Sequence, residues 1–186
     1  MMMRLFAALS LLLFANAEAA EFSAVQSDKS TISFITKQMN VPVEGVFRKF
    51  TAQIRIDPAK AEAGRARIEI DLAGIDAGGT EANDEVKGKN WFNVREFPQA
   101  GFVSSSVKAL GGGRFEAGGK MTIKGKTREV RAPFTLKQEK DVLILDGSFP
   151  LKRLDYGIGS GVWSDTSVVA DEVQVRFHFV LTRIVR

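Results

Sequence analysis

The 186-residue chain has no cysteine, a single histidine, a single tyrosine and only five prolines. Without cysteine there is no disulfide framework, no thiolate metal site and no lipidated N-terminal cysteine, so the fold must rest on burial alone. The lone His178 excludes a His-rich metal centre and makes a Ser-His-Asp relay hard to assemble. Strand alternation sets it beside Gln174, Arg176 and Thr182 on a polar face, the position of a solvated histidine. Oxygen-ligand loops, nucleophile elbows and phosphate loops are also missing. Gly157-Ile158-Gly159-Ser160-Gly161 lacks the preceding strand and following helix of a dinucleotide fingerprint and reads as an irregular loop beside Tyr156 and Trp163. We therefore expect no catalytic residues, no metal site and no cofactor.

Past the N-terminus no apolar run approaches the roughly 20 residues that span a bilayer. The first residues do carry a short one: Arg4 supplies a weak positive charge, Leu5 to Ala15 an apolar core, and Ala17-Glu18-Ala19 an A-x-A cleavage site. Residues 1–19 are expected to be a cleaved signal peptide and 20–186 a single soluble domain, periplasmic or secreted. The formal charge of +4 is mild, and cleavage removes Arg4 and Glu18 without changing it. Lys120, Lys124, Lys126, Arg128 and Arg131 form the densest basic run, read either as solvent-facing strand positions or as a patch for an anionic surface. Export makes nucleic acid the poorest partner for it.

What remains reads as strands punctuated by glycine. Arg65 to Leu72 alternates, with Ala66, Ile68, Ile70 and Leu72 on one face and Arg65, Arg67, Glu69 and Asp71 on the other. The same period picks out Ala52, Ile54 and Ile56; Phe115, Ala117, Gly119, Met121 and Ile123; and Val130, Ala132, Phe134 and Leu136. A last strand, Val173 to Val185, aligns Val173, Val175, Phe177, Phe179 and Leu181. Turns are expected at Gly111-Gly112-Gly113, Lys124-Gly125-Lys126 and Asp146-Gly147. One short helix is predicted over Glu81 to Lys87, with Thr80 as N-cap and Gly88 as its stop. It leads into KGKNWFNVREFPQAGF, residues 87–102, which has neither helical nor strand periodicity. Four large rings there, Trp91, Phe92, Phe97 and Phe102, point to a loop that closes one end of a greasy interior. An all-β chain of this kind folds as a two-sheet sandwich or a closed barrel, and strand number alone does not choose. Small inward residues such as Ala66 and Gly119 beside rings such as Phe115 leave room for a narrow apolar channel, or interdigitate in a dry core.

In order and spacing, Ser33-Phe34, Gly45-Val46-Phe47 with Phe50, WFNVREFPQAGF, GKMTIKGKT, PLKRLDYGIG and Asp171-Glu172-Val173 resemble the YceI-like polyisoprenoid-binding periplasmic family. The resemblance implies an extended, antiparallel, eight-stranded lipocalin-like barrel with one short helix and no enzyme activity. Its cavity would hold a long isoprenoid lipid, such as a prenylated quinone or polyprenyl compound. Where many members carry Arg-Asp-x-His-Leu, this chain has Ala82-Asn83-Asp84-Glu85-Val86, with Glu85 at the histidine position. On that footing the walls are expected from Phe34, Phe47, Ile54, Ile68, Ile70, Phe115, Met121 and Phe134, and the mouth from Trp91, Phe92, Phe97 and Tyr156. Each serves plain core packing equally well. Arg153 is read either as a head-group ligand or as the partner of a nearby carboxylate. The implied partners are the lipid, transiently a membrane or membrane enzyme, and a second copy of the chain at an empty mouth. Three other classes stand beside this reading: a stress-response or interaction protein with a packed barrel, an isoprenoid- or quinone-modifying enzyme using Asp84, Glu85 and Arg153, and an outer-membrane barrel.

Overall fold

Alternating β-branched and aromatic residues on both sides of short turns produce one curled antiparallel sheet. A computed structural model describes residues 21–184; the expected signal peptide and cleavage site lie outside them. The strands are β1 (Phe22–Val25), β2 (Thr31–Gln38), β3 (Val41–Phe47), β4 (Phe50–Arg55), β5 (Arg65–Asp71) and β6 (Ile75–Asp76). After helix α1 (Thr80–Lys87) come β7 (Gln99–Gly111), β8 (Arg114–Ile123), β9 (Lys126–Glu139), β10 (Val142–Lys152) and β11 (Glu172–Arg183).

The described residues form eleven strands where eight were expected, and the excess has a simple origin. Hydrogen-bonded neighbours run β4-β5-β7-β8-β9-β10-β11-β2-β3, and β3 leads directly into β4, so the circuit returns on itself. β1 and β2 lie end to end along β11, β1 against Leu181 to Arg183 and β2 against Gln174 to His178. Likewise β6 pairs with β3 while β5 pairs with β4. The eleven strands thus occupy eight positions round a barrel, three of them interrupted. At the first interruption buried Ser30 donates to the Gln26 carbonyl at 2.7 Å and accepts from Val180 N–H at 3.0 Å. One hydroxyl thereby replaces two missing ladder bonds in a place where unpaired groups would be costly. The seam is stitched again where Phe22 and Ile56 exchange backbone bonds of 2.9 and 3.1 Å.

Local expectations fare unevenly. Lys124 and Gly125, at φ 49° and 72°, make the tight hairpin between β8 and β9, both in the left-handed region that two-residue turns require. Asp146-Gly147 is not a turn. It lies inside β10, and the chain reverses at Lys140-Asp141 instead. Glycine stands at 147 because a Cβ there would collide with the Phe177 ring and the Pro133 carbonyl. Helix α1 begins one residue early, with Gly79 rather than Thr80 at the N-cap. Leu72 leaves the β5 face for a 3-10 turn (Leu72–Gly74) and is fully buried there. His178 is on the outside as expected, its Nδ1 2.6 Å from Asp146 Oδ1.

Burial divides into two apolar clusters stacked along the barrel axis. One gathers Phe22, Ile54, Leu143, Leu145, Phe179 and Leu181; the other gathers Leu72, Ala100, Phe102, Ile123, Phe149 and Tyr156. The second lies at the end carrying α1, the aromatic loop and the long β10–β11 connection.

Candidate functional site

Between these clusters the interior is not filled. Two chambers lie in line and share Ile70, Met121 and Val175, which form a waist. The inner chamber, about 100 Å³, is walled by strand residues, among them Ile32, Ile54, Ile68, Phe134, Leu145 and Phe179. Its lining is almost wholly apolar, since Ser104, the one hydroxyl there, accepts from Ala66 N–H at 2.8 Å. The mouth chamber, about 540 Å³, sits under the loops and α1. Phe34, Phe47, Phe92 and Trp91 line it together with Leu151, Ile158 and Trp163. Phe34 and Phe47 meet at 5.3 Å between ring centroids, and Phe47 takes the edge of Phe92 at 6.5 Å.

Arg55 and Arg65 border the inner chamber with their polar ends turned to Glu21 and to the Ala63 and Gly64 carbonyls, and the mouth is the more polar of the two. On α1 the i, i+4 pairs Glu81/Glu85 and Ala82/Val86 share the face that lines it. Glu85 Oε1 accepts from the Trp91 indole N–H at 3.1 Å, which sets that ring, and Trp91 packs on Trp163 at 5.5 Å with a 54° tilt. The pair spans the opening from the aromatic loop to the β10–β11 connection. Across the chamber, Thr36 Oγ1 is buried with no hydrogen-bond partner among the described residues.

Arg153 organises the roof. It is 1% exposed, and each of its five N–H donors is taken by a backbone carbonyl. Nε donates to Ala170 at 3.0 Å, Nη1 to Ile158 and Gly159 at 2.9 Å each, and Nη2 to Trp163 at 2.7 Å and Val169 at 2.8 Å. The planar guanidinium is the side chain that can bind such a fan of carbonyls at once. Burial works against its charge, and the nearby Asp171 carboxylate favours it. Trp91 lies 5.6 Å from its Cζ in cation–π contact. Of the two readings of Arg153, head-group ligand or partner of a carboxylate, the geometry favours the structural one with carbonyls as the partners: the residue borders the mouth chamber, but no donor remains to offer a ligand. Arg153 is a strap tying residues 158–170 over the mouth.

The other expected residues divide clearly. Ile54, Ile68 and Phe134 line the inner chamber, Ile70 and Met121 the waist, and Phe34, Phe47, Trp91 and Phe92 the mouth. Three lie elsewhere. Phe97 covers Gly125 at the hairpin, Tyr156 is packed into the second core cluster with burial raising its phenol pKa, and Phe115 stacks on Phe134 at 5.6 Å beside a separate outer cleft. The sequence reading did not place Val175, Leu145, Trp163 or Thr36 in the site. Val175 was legible in the alternation of the last strand; Trp163 sits in an irregular connection, where no periodicity points inward. Among the described residues no group of three or more His, Asp or Glu is placed to hold a metal ion, and no helix is long and apolar enough to cross a membrane.

A family model for the YceI-like domain matches residues 24–181, which takes in every strand but the first residues of β1 and the last of β11. The chain belongs to the YceI-like family. A UPF0312 protein of Azotobacter vinelandii is 30% identical over 120 residues, 61% of this chain and 62% of that protein, so the match spans about six tenths of the relative's length. BcnA of Burkholderia cenocepacia, a crystal structure, superposes with TM-score 0.83 at 49% identity over 85% of this YceI-like chain and 99% of its own. A structure from Saccharophagus degradans, described as a polyisoprenoid binding domain implicated in plant cell wall breakdown, shares the fold. Its TM-score is 0.66 at 13% identity, covering 89% of this chain and 99% of that one.

Proposed function

We propose that this chain is an exported, non-catalytic carrier that sheathes a long isoprenoid lipid, a prenylated quinone or a polyprenyl compound, during its passage or storage in the periplasm. The observation that carries the reading is the pair of chambers that meet at Ile70, Met121 and Val175, a narrow apolar one among the strands and a wider one beneath Trp91 and Trp163. A narrow inner chamber without free polar groups suits a hydrocarbon tail. Each buried methylene gains about 0.8 kcal/mol, and nothing in those walls is left unpaired to oppose it. The wider mouth suits a head group, because Thr36 Oγ1 offers a bond to a carbonyl or hydroxyl and lies in reach of the same chamber as Gln38 and Glu85. Met121 at the waist adapts to irregular shapes through its flexible thioether. The description of the Saccharophagus degradans domain as polyisoprenoid binding supports the same ligand class.

The test is organic extraction of protein purified from its native periplasm, followed by mass spectrometry. A stoichiometric prenylated species supports the reading and identifies the cargo. An empty extract from well-folded protein that also takes up no added prenyl lipid returns the packed-barrel interaction protein to first place.

A further inference from the structure

A lipid that is insoluble in water has to enter from a bilayer, which makes the surface around the mouth the next question. Apolar side chains are exposed there. Met39 and Val41, 67% and 63% exposed, flank the β2–β3 turn, and Val162, 81% exposed, tips the connection that carries Trp163. The two segments are neighbours, since Met39 N–H donates to the Val168 carbonyl at 2.8 Å and Gln38 bridges to Val169. None of the three residues lines either chamber or belongs to a core cluster.

At the start of the connection that carries Val162, the basic run collects in space. Lys124 Nζ donates to the Lys89 carbonyl at 3.0 Å and to the Gly157 carbonyl at 2.8 Å, and Arg128 Nη2 donates to the Asp155 carbonyl at 3.3 Å. Lys126 reaches the same Gly157. Lys89, Lys124, Lys126 and Arg128 therefore flank one side of the connection whose tip is Val162. None of the four forms an ion pair among the described residues. Lys124 is kept at its post even though burial lowers its pKa, with Lys126 adding to the effect. Glu81 and Glu85 stand on the helix side of the opening, so the charge at the mouth is asymmetric.

We propose that this rim docks on a lipid bilayer containing anionic head groups, with Met39, Val41 and Val162 entering the interface and the Lys89–Arg128 flank lying over the phosphates. The proposal rests on the carrier reading for its motive, but not for its test. A few aliphatic tips beside unpaired cations fit a charged bilayer better than a protein partner, for they offer no concave patch and no aromatic anchor beyond the two tryptophans already engaged. Each cation near an anionic surface adds about fivefold to affinity, and salt removes that gain.

The experiment is co-sedimentation of the full chain with vesicles of phosphatidylcholine alone and of phosphatidylcholine with one third phosphatidylglycerol. Binding at least tenfold tighter to the anionic vesicles, and weakened by 0.5 M salt, is expected. Val162→Asp and the double variant Lys89→Glu/Lys126→Glu, all at exposed positions, should each lower it more than fivefold while leaving uptake of a prenyl alcohol from detergent micelles unchanged. Failure to bind either vesicle, or binding that both variants leave intact, overturns the proposal and points to a protein partner for the rim. Uptake from micelles without vesicle binding refutes the docking surface and leaves the carrier standing. Vesicle binding without any uptake refutes the carrier and leaves the docking surface standing.

Discussion

The inner and mouth chambers are built from the same barrel by opposite means. Inner walls come from regular strands, where alternation alone delivers Ile54, Ile68 and Phe134 to the axis, and every polar neighbour is already paired. The mouth adds to its strand residues a short helix and two irregular connections, held by one buried arginine, and it contains carboxylates, the unpartnered Thr36 hydroxyl and two tryptophans packed at a tilt. Under the proposed carrier function, tail recognition would be a property of the sheet and tolerant of detail, whereas head-group choice and access would depend on loops that need a dedicated fastener. That fastener is polar because a connection of this length has no ladder partner for its carbonyls, and Arg153 supplies five donors at one point.

The comparison breaks most easily at the strap. Arg153→Ala removes a buried cation and strands the carbonyls of Ile158, Gly159, Trp163, Val169 and Ala170; a loss of about 3–5 kcal/mol is expected in urea unfolding. Arg153→Lys should recover little, since an ammonium has three donors and no plane. Gly159→Ala attacks the same contact from the other side. Its φ of 73° disfavours a side chain, and the new Cβ meets the guanidinium, so we expect about 2 kcal/mol or more by thermal melting. Trp163→Ala should cost about 0.5–1.5 kcal/mol through the lost Trp91 pair and should speed ligand release in stopped-flow experiments. The smallest stability effect is expected deep inside. Ile68→Trp, which fills the inner chamber, should change stability by less than about 1 kcal/mol while shortening the longest prenyl chain that is taken up. A packed core would instead lose about 1–3 kcal/mol from overpacking.

The same division explains what could be read in the sequence. Strand faces were legible from Ala66-Ile68-Ile70 and Phe115-Ala117-Gly119 because a period of two has one structural meaning beside a core. Even there Phe115 shows the limit, since its inward phase left open which cavity it would border. Closure into eight positions was legible only through the family resemblance. The interruptions at Ser30, at Arg48 between β3 and β4, and at Leu72 depend on tertiary hydrogen bonds: Val180 N–H to Ser30, Arg48 N–H to the Gly74 carbonyl and Leu72 N–H to the Pro98 carbonyl. Trp91 and Phe92 announced a mouth by being apolar in a segment without periodicity, yet Phe97 and Tyr156 carry the same signal and pack elsewhere. Arg153 was visible only as one charge in the run Lys152-Arg153-Leu154-Asp155. That its partners would be carbonyls rather than a lipid head group is a matter of loop geometry, which composition does not encode.

The central claim is a continuous channel with the tail innermost, and the most direct measurement is a titration of the protein with prenyl alcohols of increasing chain length, followed by Trp91 and Trp163 fluorescence. Affinity should rise with each added isoprene unit, by up to about a thousandfold where all five carbons are buried at about 0.8 kcal/mol each, and level off once the inner chamber is full. In Ile68→Trp the plateau should arrive at a shorter chain. Affinity independent of chain length from the first unit onward would contradict the account, because it would confine the ligand to the mouth.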